Sequence, residues 1–163
     1  LWKYDGVNAP SMVADIRSGS SSSYPNDFIV FNNALYFEAN DGTNGNELWK
    51  YDGNNAPSMV ADIRSGSDNS YPSDFIVFNN ALYFEASDGT NGNELWKYDG
   101  VNAPSMVADI RSGSSSSSPN DFIVFNNALY FEASDGTNGN ELWKYDGNNA
   151  PSMVADINSG TVS

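Results

Sequence analysis

The chain repeats itself every 47 residues, and this repeat limits its fold more than any other feature. The string Leu-Trp-Lys-Tyr-Asp-Gly begins at Leu1, Leu48, Leu95 and Leu142, so the 163 residues hold three complete units and a 22-residue remainder. The first two units differ at five positions and the first and third at two, and none of these differences lies in an apolar run. A fixed period of this length is typical of proteins in which one small structural unit stacks on copies of itself.

Each unit contains four short segments that indicate β-strands. In the first repeat of the pattern they are residues 28–31, 34–39, 47–52 and 58–63. Asn32 and Asn33 join the first two segments, and because Asn tolerates a positive φ, they predict a two-residue hairpin turn. Apolar residues lie on both faces of these strands, as expected for a sheet that is covered on both sides. No window shows an apolar period of 3.6 residues, so almost no helix is expected.

Four antiparallel strands in about 40–50 residues match the size of one β-propeller blade, which packs face to face with two neighbours. An open β-solenoid is the alternative, although its coils are usually shorter and contain fewer hairpins. We therefore predict an all-β fold of three four-stranded antiparallel blades and an N-terminal half-blade of two outer strands. The predicted boundaries are 1–22 for the half-blade and 23–69, 70–116 and 117–163 for the three blades.

Three and a half blades are too few for a closed ring, because closed propellers have about four to eight blades. The half-blade lacks its two inner strands, and exposed strand edges are templates for pairing with another chain. The sequence therefore predicts that the chain associates with itself, either as a closed oligomeric ring or as a filament.

The composition disfavours several functions. A total of 21 acidic residues against 7 basic ones gives a formal net charge of −14, which disfavours binding to nucleic acids and to anionic membrane surfaces. The chain has no Cys and no His, the residues of most nucleophile–base pairs and of thiolate metal sites. No stretch approaches the ~20 apolar residues of a membrane-spanning helix. Near-identical units also repeat the same groups, whereas a catalytic centre needs unlike groups, so we expect no enzymatic activity.

An acidic loop with two glycines recurs in each unit and is a candidate calcium site. Carboxylate, amide and backbone oxygens are the ligands that calcium prefers. The alternative is a structural connector in which Asp and Asn form Asx-turns. The candidate ligands are Asp41, Asn44, Asn46 and Glu47, with their equivalents Asp88, Asn91, Asn93, Glu94, Asp135, Asn138, Asn140 and Glu141.

A Trp–Tyr pair recurs in the third strand of each unit and is a candidate platform for stacking sugars in a groove between blades. Repeated sites of this kind would make a multivalent lectin, in which avidity multiplies weak single sites. The alternative is that these residues belong to the core, as large aromatic side chains on strands usually do. The candidates are Trp49, Tyr51, Trp96, Tyr98, Trp143 and Tyr145.

A longer motif recurs at each unit boundary. At the first boundary it reads Glu47-Leu48-Trp49-Lys50-Tyr51-Asp52-Gly53, with Asp41-Gly42-Thr43 shortly before it. This motif resembles the ELWxxDGT repeat of secreted bacterial proteins, and the resemblance covers essentially the whole chain. One departure is the final Thr of the motif, whose position is occupied by Val7, Asn54, Val101 or Asn148.

The resemblance implies an extracellular, β-propeller-like repeat array without an assigned activity. Together with the 47-residue repeat, it leads us to expect a non-enzymatic extracellular protein with a structural or adhesive role. Its expected partner is a second copy of itself, with calcium as a possible ligand. A multivalent carbohydrate-binding propeller is the alternative function.

Overall fold

The fold consists of short antiparallel strands arranged in a series of sheets. A computed structural model describes residues 1–157, and these contain fourteen strands and no helix, hence none that is long and apolar enough to cross a membrane. Strands β1 (Trp2–Lys3) and β2 (Ser11–Met12) pair only with each other. The other twelve strands form three sheets of four, each in chain order. The predicted all-β fold of repeated four-stranded sheets is confirmed.

The three sheets have the same strand boundaries, shifted by one repeat. Sheet 1 contains β3 (Asn26–Phe31), β4 (Ala34–Asn40), β5 (Asn46–Tyr51) and β6 (Ser58–Ala61). Sheet 2 contains β7 (Ser73–Phe78), β8 (Ala81–Ser87), β9 (Asn93–Tyr98) and β10 (Ser105–Ala108). Sheet 3 contains β11 (Asn120–Phe125), β12 (Ala128–Ser134), β13 (Asn140–Tyr145) and β14 (Ser152–Ala155). Residues 158–163, which are part of the third predicted blade, lie outside the described residues.

The predicted hairpin turn is present in every sheet. Asn32 and Asn33 have φ angles of 47° and 58°, as a type I′ turn requires, and this turn matches the right-handed twist of the strands it joins. The first strand is longer than predicted. It begins at Asn26 and passes through a bulge before Ile29, where Asp27 has a φ of 51°.

Consecutive sheets pack face to face, and the apolar core lies between them. We call the side of a sheet that packs on the preceding repeat its front face and the side that packs on the following repeat its back face. Between sheets 1 and 2, the buried back-face residues are Phe31, Ala34, Tyr36 and Leu48, and the buried front-face residues are Leu82, Phe84, Ala86, Trp96 and Tyr98. The equivalent residues form the core between sheets 2 and 3, so one interface is built twice from the same sequence.

The half-blade, residues 1–22 with strands β1 and β2, packs on the front face of sheet 1. Leu1 and Ile16 lie against a buried apolar cluster of Phe37, Ala39 and Trp49. Leu1 and Ile16 stand at the repeat positions of back-face residues in the sheets. The half-blade therefore covers sheet 1 in the way that each sheet covers the next.

Gly92 lies in the loop between β8 and β9, and its replacement by Ala is expected to lower the free energy of unfolding by about 2–3 kcal/mol. Its φ is +72°, and an added Cβ would lie 2.5 Å from the carbonyl oxygen of Ser115. Gly113 is the matched control, because its φ is +92° but nothing lies within 4 Å of an added Cβ. The left-handed backbone costs about 1–2 kcal/mol in either variant. Urea unfolding measures the difference between the two variants. Equal losses of stability would contradict the close approach of Gly92 to Ser115, which lies in the segment that joins β10 to β11.

Candidate functional site: uncovered faces of the sheet stack

The acidic loop after the second strand of each sheet holds its own carboxylate in a turn. The carboxylate of Asp41 accepts hydrogen bonds from the backbone N–H groups of Thr43 and Asn44, at 2.7 and 2.8 Å, and from the Asn44 side-chain amide at 2.7 Å. Partial burial acts to raise the pKa of Asp41, but these hydrogen bonds outweigh it and lower the pKa. The same turn recurs at Asp88 and Asp135. It is the Asx-turn expected of a structural connector.

The other two candidate calcium ligands of the first loop are engaged by different partners. The side-chain amide of Asn46 donates to Glu38 at 2.7 Å. The carboxylate of Glu47, which is fully buried, accepts from the N–H of Ile63 at 2.8 Å and from the N–H and hydroxyl of Ser70 at 3.1 and 2.7 Å. Within residues 1–157, no group of three or more acidic side chains is placed to hold a metal ion. Calcium binding by these loops stays a prediction.

The buried glutamates join one sheet to the next. Ser70 lies in the linker between sheets 1 and 2, and Glu94 makes the same three hydrogen bonds with Ile110 and Ser117 one repeat later. Burial raises the pKa of Glu47 to about 7, against the lowering effect of its hydrogen bonds, and burial also raises the pKa of Glu94. Sequence reasoning missed this role, because the partners lie 16 and 23 residues from the carboxylate.

We expect the protein to lose stability as the pH rises from about 4.5 to about 7. A carboxyl group whose pKa is raised by folding stabilises the native state fully below its unfolded pKa, and this contribution is lost as the pH rises through the folded pKa. For Glu47 the window runs from the ordinary value of 4.5 to about 7, a shift that corresponds to about 3 kcal/mol. Glu47→Gln should therefore flatten the pH profile of the urea-unfolding free energy. The exposed change Asp15→Asn is the control, and a profile that Glu47→Gln leaves as steep would contradict this assignment.

The recurring Trp–Tyr pair lies in the apolar clusters between repeats. The six candidate sugar-stacking residues found there are Trp49, Tyr51, Trp96, Tyr98, Trp143 and Tyr145. All except Tyr51, which is partly buried, are buried side chains. The ring of Tyr98, for example, lies 5.8 Å from the ring of Tyr36 on the preceding sheet. This is the packing expected of core residues, and glycan binding by these residues stays a prediction.

The front face of the half-blade exposes the residues that the sheets bury. Trp2 is 65% exposed, whereas its equivalent Trp96 is 8% exposed. Tyr4 and Met12 occupy the positions of other front-face residues and are also exposed. The half-blade therefore presents an uncovered copy of the outer part of a front face.

The back face of sheet 3 is the second uncovered face. Phe125 is 60% exposed, whereas its equivalent Phe31 is 3% exposed. Leu142 is 40% exposed, and its equivalent Leu48 is completely buried. Leu142 and Ile123 line an open depression of about 410 Å³ on this face. Several residues that belong to the core on the back faces of the first two sheets thus lie at the surface on the third.

Three aspartates that sequence reasoning did not single out line one open depression. Asp27, Asp74 and Asp121 come from the first strands of the three sheets and share a space of about 520 Å³ with the phenylalanines that follow them. Burial raises the pKa of Asp74, and the charges of Asp27 and Asp121 raise it further. The concentrated negative charge repels anionic ligands. The sequence shows that one Asp recurs at the same position of each repeat. That the three side chains line the same depression depends on how the sheets stack, which the sequence does not show.

Residues 1–157 therefore form a stack of four-stranded β-blades with an exposed apolar surface at each end. No protein-family model and no curated protein matches the sequence, so its resemblance to the ELWxxDGT repeat stays a prediction. Among solved structures, the chain is similar to the computationally designed Ika8 protein, with 17% identity and a TM-score of 0.46 over 85% of this chain and 38% of that one.

Two further solved structures are similar at the same distant level. The computationally designed Ika4 protein has 16% identity and a TM-score of 0.46 over 89% of this chain and 78% of that one. Zg3597, a family 117 glycoside hydrolase produced by the marine bacterium Zobellia galactanivorans, has 13% identity and a TM-score of 0.49 over 90% of this chain and 49% of that one. This chain thus spans less than half the length of both Ika8 and Zg3597.

Proposed function

We propose that this chain is a non-enzymatic structural or adhesive protein that works by assembling with copies of itself. One observation carries the proposal: the back face of sheet 3 exposes large apolar residues that the same sequence buries on sheets 1 and 2. Phe125 and Leu142 are the clearest cases, since their equivalents are buried in both other sheets. Contiguous exposed apolar surface marks an interaction site in a soluble protein.

The chemistry of the described residues supports a role without catalysis. The buried carboxylates of Glu47 and Glu94 each accept three hydrogen bonds from backbone and hydroxyl groups. They occupy matching environments, whereas acid–base catalysis depends on groups whose environments differ. The chain also has no His or Cys to act as a base or nucleophile.

An extracellular or cell-surface location is the second part of the proposal, supported by the resemblance to the ELWxxDGT repeat of secreted proteins. The net charge of −14 favours solubility of the isolated chain. With no Cys for disulfides, stability outside the cell would come from the stacking of sheets.

Sedimentation velocity on the full chain tests self-assembly. Between about 1 μM and about 1 mM protein, we expect a rise in mean mass, because this range covers weak and moderate dissociation constants. The rise should be larger at high salt, which screens the repulsion between acidic chains. Electron microscopy of the associated fraction distinguishes rings from filaments. A chain that stays monomeric throughout would overturn the proposal.

Glycan binding is a second candidate function, favoured by the exposed rings of Trp2 and Tyr4. Aromatic rings that present a free face are the usual platform for an apolar ligand surface. A glycan array probed with the native chain and with Trp2→Ala tests it. Binding that Trp2→Ala abolishes would support the candidate, and no binding by the native chain would remove it.

A further inference from the structure

We propose that the front face of the half-blade in one copy docks on the back face of sheet 3 in a second copy. This inference rests on the proposed self-assembly and names the two surfaces that meet. The back face of sheet 3 repeats one side of the interface that the chain already forms between sheets 1 and 2 and again between sheets 2 and 3, and the front face of the half-blade repeats the outer part of the other side. The chain itself therefore shows what covers such a face: the front of another repeat.

A tyrosine pair recurs at both interfaces between sheets. The ring of Tyr98 on the front of sheet 2 lies 5.8 Å from that of Tyr36 on the back of sheet 1, and the same pair recurs between sheets 2 and 3 at 5.7 Å. Tyr130 is the next member of the back-face series, on sheet 3. Tyr4 is the member of the front-face series that stands in the half-blade. Docking places Tyr4 of one copy against Tyr130 of the other.

A glycine of the next repeat lies against the hairpin turn between β3 and β4. An added Cβ on Gly100 would lie 3.4 Å from the ring of Phe31 and 2.9 Å from the side-chain amide nitrogen of Asn32, so this tip rests on the glycine. Gly6 has the same repeat position in the half-blade, and nothing lies within 4 Å of a Cβ built there. The equivalent of Phe31 on sheet 3 is the exposed Phe125. The joint brings Phe125 over Gly6 and covers both.

The outer strands complete the joint. In the core between sheets 1 and 2, these strands contribute Trp96 and Met106 from the front and Leu48 and Val60 from the back. Their equivalents at the proposed joint are all exposed: Trp2, Met12, Leu142 and Val154. Both faces are already formed in the folded chain, so docking buries these side chains without breaking any strand pair. Burying them favours association in proportion to the apolar area removed from water, against the entropic cost of association.

The joint is head-to-tail, because two different faces meet. Each copy keeps one free face of each kind, so copies add in one direction until the stack closes. Residues 1–157 occupy four blade positions, and two copies of this segment fill eight, within the range of about four to eight found in closed rings. A two-copy ring or a longer filament both use the same joint.

Two capped variants test the joint. Trp2→Asp with Tyr4→Asp places charge on the front face, and Phe125→Asp with Leu142→Asp places charge on the back face. Each variant alone is expected to associate at least about tenfold more weakly than the native chain at about 0.5 M salt. An equimolar mixture is expected to form a complex of two chains, because each variant supplies the face that the other lacks.

The control has the same added charge outside both faces, as Val7→Asp with Val101→Asp, at residues that are 86% exposed. It is expected to associate like the native chain at the same salt concentration. Circular dichroism and urea unfolding verify that every variant is folded.

The possible failures are distinguishable. Capped variants that associate as strongly as the control overturn this joint and leave self-assembly standing. A mixture of the two capped variants that stays monomeric while the control assembles also overturns this joint. The mixture still contains one native front face and one native back face, and the proposed joint requires these two faces to dock. A native chain that never associates overturns the joint and the proposed function together.

Discussion

Trp96→Ala is expected to lower the free energy of unfolding by about 3–5 kcal/mol, whereas Trp2→Ala should change it by at most about 0.5 kcal/mol. The two residues stand at the same position of the repeat but are 8% and 65% exposed. Trp96 lies in the core between sheets 1 and 2, where its removal leaves a cavity between two sheets held by their other contacts. Urea unfolding followed by circular dichroism measures both losses, and Trp2→Ala serves as the matched control.

A third variant separates packing from hydrogen bonding at this position. The indole N–H of Trp96 is buried and has no acceptor among the described residues, so Trp96→Phe removes no hydrogen bond and retains most of the ring. We expect it to recover at least about half of the stability lost in Trp96→Ala. If Trp96→Ala proves as mild as Trp2→Ala, the core placement is wrong and sugar stacking becomes the better interpretation.

The strands and turns were predictable because they depend on local pattern. The hairpin at Asn32 and Asn33 needs only two residues that tolerate a positive φ between apolar runs, and both angles are positive. The start of the first strand at Asn26 was not predictable. It depends on a bulge at which Asp27 takes a φ of 51°, and such a bulge leaves no mark in an apolar pattern.

The sequence could predict that some faces are uncovered, because the stack of repeats is incomplete, but it could not predict which residues those faces expose. Leu48 and Leu142 begin the same hexapeptide, yet the first is fully buried and the second is 40% exposed. Their local sequence is identical, so the difference comes entirely from the neighbouring repeat. The repeat count predicted an open array, but the residues on each face required the register and alternation of the strands.

In the candidate calcium loop, the sequence did not predict the hydrogen-bond partners of the carboxylates. Asp41 and Glu47 lie six positions apart, and both offer the carboxylate oxygens that a calcium ion prefers. In the fold, the Asp41 carboxylate closes its own turn, while the Glu47 carboxylate binds Ser70 and Ile63. The two carboxylates thus have different hydrogen-bond partners, because a strand begins between them and the partners of Glu47 come from distant segments. Calcium binding by this loop stays a prediction.

Glu94→Ala is expected to lower the free energy of unfolding by about 3–4 kcal/mol, because it leaves three donors without an acceptor. These donors are the N–H of Ile110 at 2.9 Å and the N–H and hydroxyl of Ser117 at 2.9 and 2.6 Å. Ser117 is buried, so its two donors lie away from bulk water. Each unsatisfied donor costs about 1–3 kcal/mol, and removing a buried polar group offsets part of the sum. Urea unfolding at pH 7 measures the loss.

Glu141→Ala is the matched control, because Glu141 accepts one hydrogen bond within the described residues, from the N–H of Ile157 at 3.1 Å. Glu141→Ala should lower the free energy of unfolding by about 1 kcal/mol. Since Ser117 lies in the linker to sheet 3, Glu94→Ala should also speed hydrogen exchange in β12 and β13 more than in β4 and β5, as expected when one part of a stack opens locally. Equal losses in the two variants, or uniform exchange across the sheets, would show that the buried glutamate does not couple one repeat to the next.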